Sequence, residues 1–159
     1  KKYYAVSLNN SGFNYSEKGD FKNALDLHSR SLKISKKLGD NENVALQLNN
    51  IGAIYDRQGE GDKAIEIYEE ALKIELKQNH PKNIIAILVN IGTLYDSKGN
   101  TDSALVYYQR ALSIAQKNNI KSHTVTIIYC CLGDLFVKQG NLLNLLIREL
   151  KRKAAQGAA

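Results

Sequence analysis

One eight-residue pattern returns along the chain at a nearly fixed interval. Leu48-Asn49-Asn50-Ile51-Gly52-Ala53-Ile54-Tyr55 comes back, altered, as Leu88-Val89-Asn90-Ile91-Gly92-Thr93-Leu94-Tyr95. An earlier copy reads Leu8-Asn9-Asn10-Ser11-Gly12-Phe13-Asn14-Tyr15, and a fainter one Tyr129-Cys130-Cys131-Leu132-Gly133-Asp134-Leu135-Phe136. The anchor glycines Gly12, Gly52, Gly92 and Gly133 are therefore 40, 40 and 41 residues apart. Each copy is too small to bury its own apolar face, so copies of this length stack on their neighbours into a solenoid.

Each copy reads as two helices. In the second, Val44, Leu48, Ile51, Ile54 and Tyr55 recur at helical spacings of three and four. Gly59 stands where a helix ends, and glycines recur seven places after every anchor, at Gly19, Gly59, Gly99 and Gly140. Asp20, Glu60 with Asp62, Asn100 with Asp102, and Asn141 follow as helix-start residues, by capping or by charge against the helix dipole. The next helix carries Ala24, Ala64 or Ala104 twelve residues after its anchor glycine. His28 and Ser31, Tyr68 and Ala71, and Tyr108 and Ala111 follow. Small residues on both helices let the pair approach closely, with aromatics filling the remaining space. Pro81 is the single proline, as suits a nearly all-helical chain.

These positions resemble the tetratricopeptide repeat family. The match is Leu48, Ile51-Gly52, Tyr55, Ala64, Tyr68 and Ala71 in one copy, and Leu88, Ile91-Gly92, Tyr95, Ala104, Tyr108 and Ala111 in the next. The first copy keeps Leu8, Gly12, Tyr15 and Ala24 but carries Ser11, His28 and Ser31. The fourth keeps Leu132-Gly133 and Phe136, then departs, with Leu145 at the alanine position. The resemblance implies an all-α fold, a right-handed superhelical stack of about four helix-turn-helix repeats, at residues 3–39, 43–79, 82–119 and 122–153. They make one domain over 1–153, followed by a tail at 154–159. The forty-residue period exceeds the family's usual length of about 34, so each helix is expected to be longer by roughly a turn. Such long repeats are similar to those of the kinesin light chain, spindle-orientation adaptors and bacterial sensor regions. The chain begins Lys1-Lys2, without methionine, as a fragment or processed chain would.

Charge and chemistry narrow the function. Formal net charge is +6, with an acidic second quarter: four Lys and Arg against eight Asp and Glu over residues 41–80. That patchwork is not the basic stripe of a nucleic-acid binder. No apolar run reaches the roughly 20 residues of a membrane span, so a cytoplasmic chain is expected. Cys130 and Cys131 are adjacent, which argues against a disulfide framework and offers no zinc spacing. His28 takes a core aromatic position, whereas His80 and His123 are expected in solvent. No phosphate loop or nucleophile–base pair is visible, so the chain is read as no enzyme, with no metal and no cofactor.

In the family the first helices line a concave face. The stripe there is Val6, Asn10, Phe13 and Glu17; Leu46, Asn50, Ala53 and Arg57; Ala86, Asn90, Thr93 and Ser97; Ile127, Cys131, Asp134 and Lys138. Its cations come late in their helices, against a clamp for a terminal carboxylate. Asn10, Asn50 and Asn90, with Asn9 and Asn49 beside two of them, recur mid-helix although asparagine is a mediocre helix former. Either these amides bond a neighbouring helix or face water, or they form a row that pairs with the backbone of an extended peptide. Phe13, Leu46 and Ala53 would then add apolar contacts, and Glu17 and Arg57 a charge preference. The expected function is a protein-interaction scaffold with a peptide in its groove. Two alternatives are a peptide-sensing input module of a larger signalling protein and a scaffold that self-associates through the apolar helix after Gly140.

Overall fold

The computed structural model describes residues 2–121 and 123–138. They form seven helices and, among the described residues, no strand: α1 Lys2–Glu17, α2 Phe21–Leu38, α3 Asn41–Arg57, α4 Gly61–Gln78, α5 Pro81–Ser97, α6 Thr101–Lys117 and α7 His123–Lys138. The helices pair as α1 with α2, α3 with α4, and α5 with α6, and each second helix also packs on the first helix of the next pair. This is the all-α superhelical stack that the periodicity predicts. Helices of 17 and 18 residues, with short connections, fill the forty-residue period. The helix expected after Gly140, with its self-association role, the side chain of Lys138 and the tail at 154–159 lie outside the described residues.

The turn inside each pair is built by three residues. In the second pair Gly59 adopts φ +77°, and its N–H bonds Asp56 O while Glu60 N bonds Tyr55 O. These two bonds satisfy carbonyls that the ending helix leaves open, and only the left-handed backbone of Gly59 closes them without strain. Glu60 then starts α4, its own carbonyl accepting from Ala64 N. The same arrangement recurs around Gly19 with Asp20 and around Gly99 with Asn100. Asp20 and Asn100 cap the next helix by side chain, but the Glu60 side chain pairs with Lys63 instead. Between pairs the left-handed residue is Gly39, Asn79 or Asn119.

Inside a pair, an aromatic ring lies directly on the anchor glycine. A Cβ built on Gly52 would stand 2.8 Å from Cε1 of Tyr68, and one on Gly92 would stand 2.7 Å from Cε1 of Tyr108. His28 takes the same seat on Gly12. Ala64 and Ala104 are fully buried, as the close approach of the helices requires. The sequence pattern sets the aromatics beside the small residues; in the fold they rest on the glycines themselves. One apolar cluster runs from Val44 in α3 to Leu135 in α7.

Candidate functional site

The first helices α1, α3, α5 and α7 present the predicted stripe to solvent. Val6, Phe13, Leu46 and Ile127 are exposed apolar side chains, and Asn10, Glu17, Arg57, Ala86, Thr93 and Ser97 are exposed with them. Asn50, Ala53, Asn90 and Cys131 are half-buried on the same stripe. The spacing of i, i+4, i+7 and i+11 keeps these residues on one side of each helix, and stacking the helices aligns the stripes side by side.

The asparagines are tied into the protein to different degrees. Asn10 is exposed, and its nearest polar partner is the Asn9 amide at 3.5 Å. Asn50 Nδ2 donates to Asn9 Oδ1 at 2.9 Å. Asn90 hydrogen-bonds the buried hydroxyl of Tyr68, whose pKa is raised mainly by burial. An amide has two N–H groups and a carbonyl, so a single internal bond leaves donor and acceptor capacity on the exposed side. Asn49, in register with Asn9, is half-buried, and its Oδ1 is enclosed with no partner.

On the stripe, Glu17 and Arg57 are paired with each other. Arg57 Nη1 lies 3.1 Å from both Ser16 Oγ and Glu17 Oε1, and its guanidinium sits over the Phe21 ring at 5.2 Å. Glu17 and Arg57 thus meet each other across α1 and α3. Thr93 Oγ1 donates to Val89 O at 3.0 Å, so its 3.1 Å contact with Tyr108 is a bond donated by the phenol. Cys131 also contacts the Tyr108 hydroxyl, and burial is the first cause of that phenol's raised pKa.

Several polar residues break the repeat and were not singled out by the sequence pattern. Gln47 is fully buried in register with Ile87 and Ile128. It bonds His28 Nδ1 at 2.9 Å through Oε1 and donates to Asn9 Oδ1 at 3.0 Å through Nε2. Glu75, in the last turns of α4, is buried where the other repeats have Ser35 and Ala115. His80, expected in solvent, is instead half-buried with Nδ1 2.9 Å from Glu75 Oε2, because the chain turning into α5 folds it onto that carboxylate. Asn83 Nδ2 donates to the other oxygen at 2.9 Å. Beside these groups a pocket of about 160 Å³ opens between α3 and α5, lined in part by Glu42, Leu46, Asn49, Glu75, Asn83 and Ala86. The signal that would have found them is the set of positions where one copy turns polar against its siblings.

Among the described residues no group of three His, Cys, Asp or Glu could hold a metal, and no helix is long and apolar enough to cross a membrane. His123 is exposed at the start of α7, Cys130 is exposed, and both thiols are free.

The tetratricopeptide repeat profile matches residues 3–77 and 48–117. No curated protein sequence gives a match. Among solved structures, BtubC (BKLC) from P. vanneervenii is 24% identical with a TM-score of 0.77, over 98% of this chain and 65% of its own. Aspartyl phosphate phosphatase F from Bacillus subtilis is 18% identical with a TM-score of 0.88, over 99% of this chain and 42% of its own. The TPR2AB domain of yeast Sti1, solved as a complex with pHSP90, is 18% identical with a TM-score of 0.71, over 87% of this chain and 50% of its own. The chain thus spans less than two thirds of each of these structures.

Proposed function

The chain belongs to the tetratricopeptide repeat family, and from that premise we propose that it is an interaction module that holds an extended peptide segment of a partner protein in the groove lined by α1, α3, α5 and α7. The observation that carries this reading is the row formed by Asn10, Asn50 and Asn90. Each stands two residues before its anchor glycine, and each keeps amide capacity open on the exposed stripe. An amide offering both donor and acceptor can pair with both groups of a peptide bond without reading the side chain. Phe13, Leu46 and Ala53 give the peptide apolar contacts between those pairs. The Glu17–Arg57 pair sets a charge boundary, and Thr93 flanks the row in α5. A neighbour of the same fold, the yeast Sti1 domain, was solved in a complex, which supports partner binding as the use of this architecture.

The test starts from peptides selected from a random phage-displayed library on the whole chain. Asn10→Ala and Asn90→Ala should each weaken a selected peptide by about 1–3 kcal/mol, the cost of leaving a ligand polar group unpaired. Melting of the Asn10 variant should stay near that of the parent, because that side chain is exposed. Unchanged affinity in the Asn10/Asn50/Asn90 triple alanine variant sinks the reading.

A further inference from the structure

We propose that the pocket between α3 and α5 receives the charged tip of one lysine or arginine of the bound segment, so that the groove selects an extended peptide with a cation at that place. This inference rests on the groove reading above and names its preferred ligand class.

The pocket opens on the groove. Leu46 and Ala86, each six residues before an anchor glycine, are exposed at its mouth, and buried Ala45 and Ile87 continue the apolar wall. Its lining, largely apolar, also includes the acceptor-bearing Glu75 and Asn49. Glu75 is 3% exposed and accepts from His80 and Asn83, one bond on each oxygen. A carboxylate has about four acceptor sites, so roughly half of that capacity is unused. Asn49 Oδ1 is enclosed without any donor. A buried acceptor without a donor is unfavourable, and a turn of the Asn49 amide toward a ligand in the pocket would relieve it. Ammonium and guanidinium groups are donors only and carry the complementary charge.

The neighbouring junction is held by a carboxylate in a different place. There, Asp40 caps α3, accepting from Asn43 N at 3.2 Å and from Asn43 Nδ2 at 2.8 Å. In the junction before α5 the cap is His80, which makes no side-chain cap bond, and Asn83 turns to Glu75 instead. The carboxylate has moved from the helix cap to the inside of the pocket. It also lies in the acidic quarter of the chain, with four cations against eight acids.

Size fits one side-chain end. About 160 Å³ is room for roughly five waters at their liquid volume. It falls below the range of about 300–1,000 Å³ typical of small-molecule sites. An aliphatic stem would lie on Leu46, Ala45 and Ile87 while its tip reaches Asn49 and Glu75.

The experiment selects phage-displayed random dodecapeptides on the whole chain. The best is then synthesised with lysine, arginine or norleucine at its enriched basic position, and affinities are read by fluorescence polarisation. On the parent protein, norleucine should weaken binding by about tenfold or more. On Glu75→Gln, and on Ala86→Leu, which plugs the mouth and leaves the Glu75 pairs intact, the difference should shrink to about twofold or less. Selected peptides without an enriched basic residue, or a lysine preference that survives both variants, overturn the subsite and leave the groove standing. No selectable peptide, or binding indifferent to the triple asparagine variant, removes the groove and the subsite with it. Should Glu75→Gln fail to fold, Ala86→Leu and Asn49→Leu decide the matter.

Discussion

His28 and Gln47 depart from the repeat together. His28 takes the seat of Tyr68 and Tyr108, and Gln47 takes that of Ile87 and Ile128. Each polar group answers the other, and Asn9 Oδ1 accepts one N–H from Gln47 and one from Asn50. Gln47→Ile alone strands the imidazole N–H and one acceptor of Asn9, and should cost about 1–3 kcal/mol. His28→Tyr with Gln47→Ile restores the arrangement of the other repeats, so the pair should cost much less than the sum of the singles. Urea midpoints of the four proteins measure this, and additivity within about 0.5 kcal/mol would show that the residues do not act as a pair. A second expectation follows from titration. Burial lowers the His28 pKa below its ordinary 6.5, partly offset by the Gln47 bond. The unfolded chain therefore binds more protons than the folded one just below pH 6.5. Stability from this group is complete above that value and is lost as the pH falls through the window beneath it. His28→Tyr should lose less stability than the parent between pH 7 and pH 5; parallel losses would place the acid sensitivity elsewhere.

The helix pair is the unit in which the repeat pattern becomes geometry. A mid-helix glycine is a poorer choice than alanine by about 0.5–1 kcal/mol unless something needs its bare surface. At Gly52 the need is the Tyr68 ring, 2.8 Å from where a Cβ would stand. Gly52→Ala should therefore destabilise by about 1–3 kcal/mol, as overpacking does. Ala64→Leu should do the same from the opposite helix, since Ala64 has no exposed surface. Thermal melting checks both, and an unchanged midpoint in either variant means the register of the pair is wrong. This contact was legible in the sequence because glycine, alanine and aromatic recur at constant offsets. The connections between pairs were less legible. Gly39 and Asn79 do the same left-handed work with different residues, at φ +66° and +54°, so no single residue type marks that turn. The exposed stripe was legible for the same reason as the core, since helical period fixes both faces at once. Gln47, Glu75 and His80 were not, because each is a polar residue whose partner lies in another helix. His28 of α2 meets Gln47 of α3, and Asn83 of α5 meets Glu75 of α4, so the spacing within any one helix does not reveal these bonds.

Across the whole molecule, each helix packs mainly on its neighbours in sequence, so stability is close to a sum of repeat and junction contributions. Those contributions are unequal. The apolar cluster is centred on α3 to α6 and reaches α7, with Tyr68, Tyr108, Ile85, Leu88 and Ile91 buried in it. In the first pair His28 stands where Tyr68 and Tyr108 do, and Ser31 and Ser35 stand where the third pair has Ala111 and Ala115; all three are buried and polar. Ser31 Oγ bonds Ala5 O at 2.9 Å, which satisfies the hydroxyl but adds little burial of apolar surface. Helix α1 buries only Ala5, Leu8, Gly12 and Ser16, and it leaves Tyr3, Tyr4, Val6, Phe13 and Tyr15 exposed. A region with few buried apolar side chains opens at lower free energy than the core beside it. Native-state hydrogen exchange should therefore show α1 and α2 opening together, at a free energy below that of α5 and α6. The gap should narrow in the His28→Tyr/Gln47→Ile variant, which gives the first pair an aromatic and aliphatic interior. A peptide lying across the asparagine row would link the first pair to the second, so adding a selected peptide should raise protection in α1 and α2 more than in α5 and α6. Equal opening free energies across α1 to α6 without peptide would mean that the stack unfolds as one unit and that the polar first repeat carries no penalty.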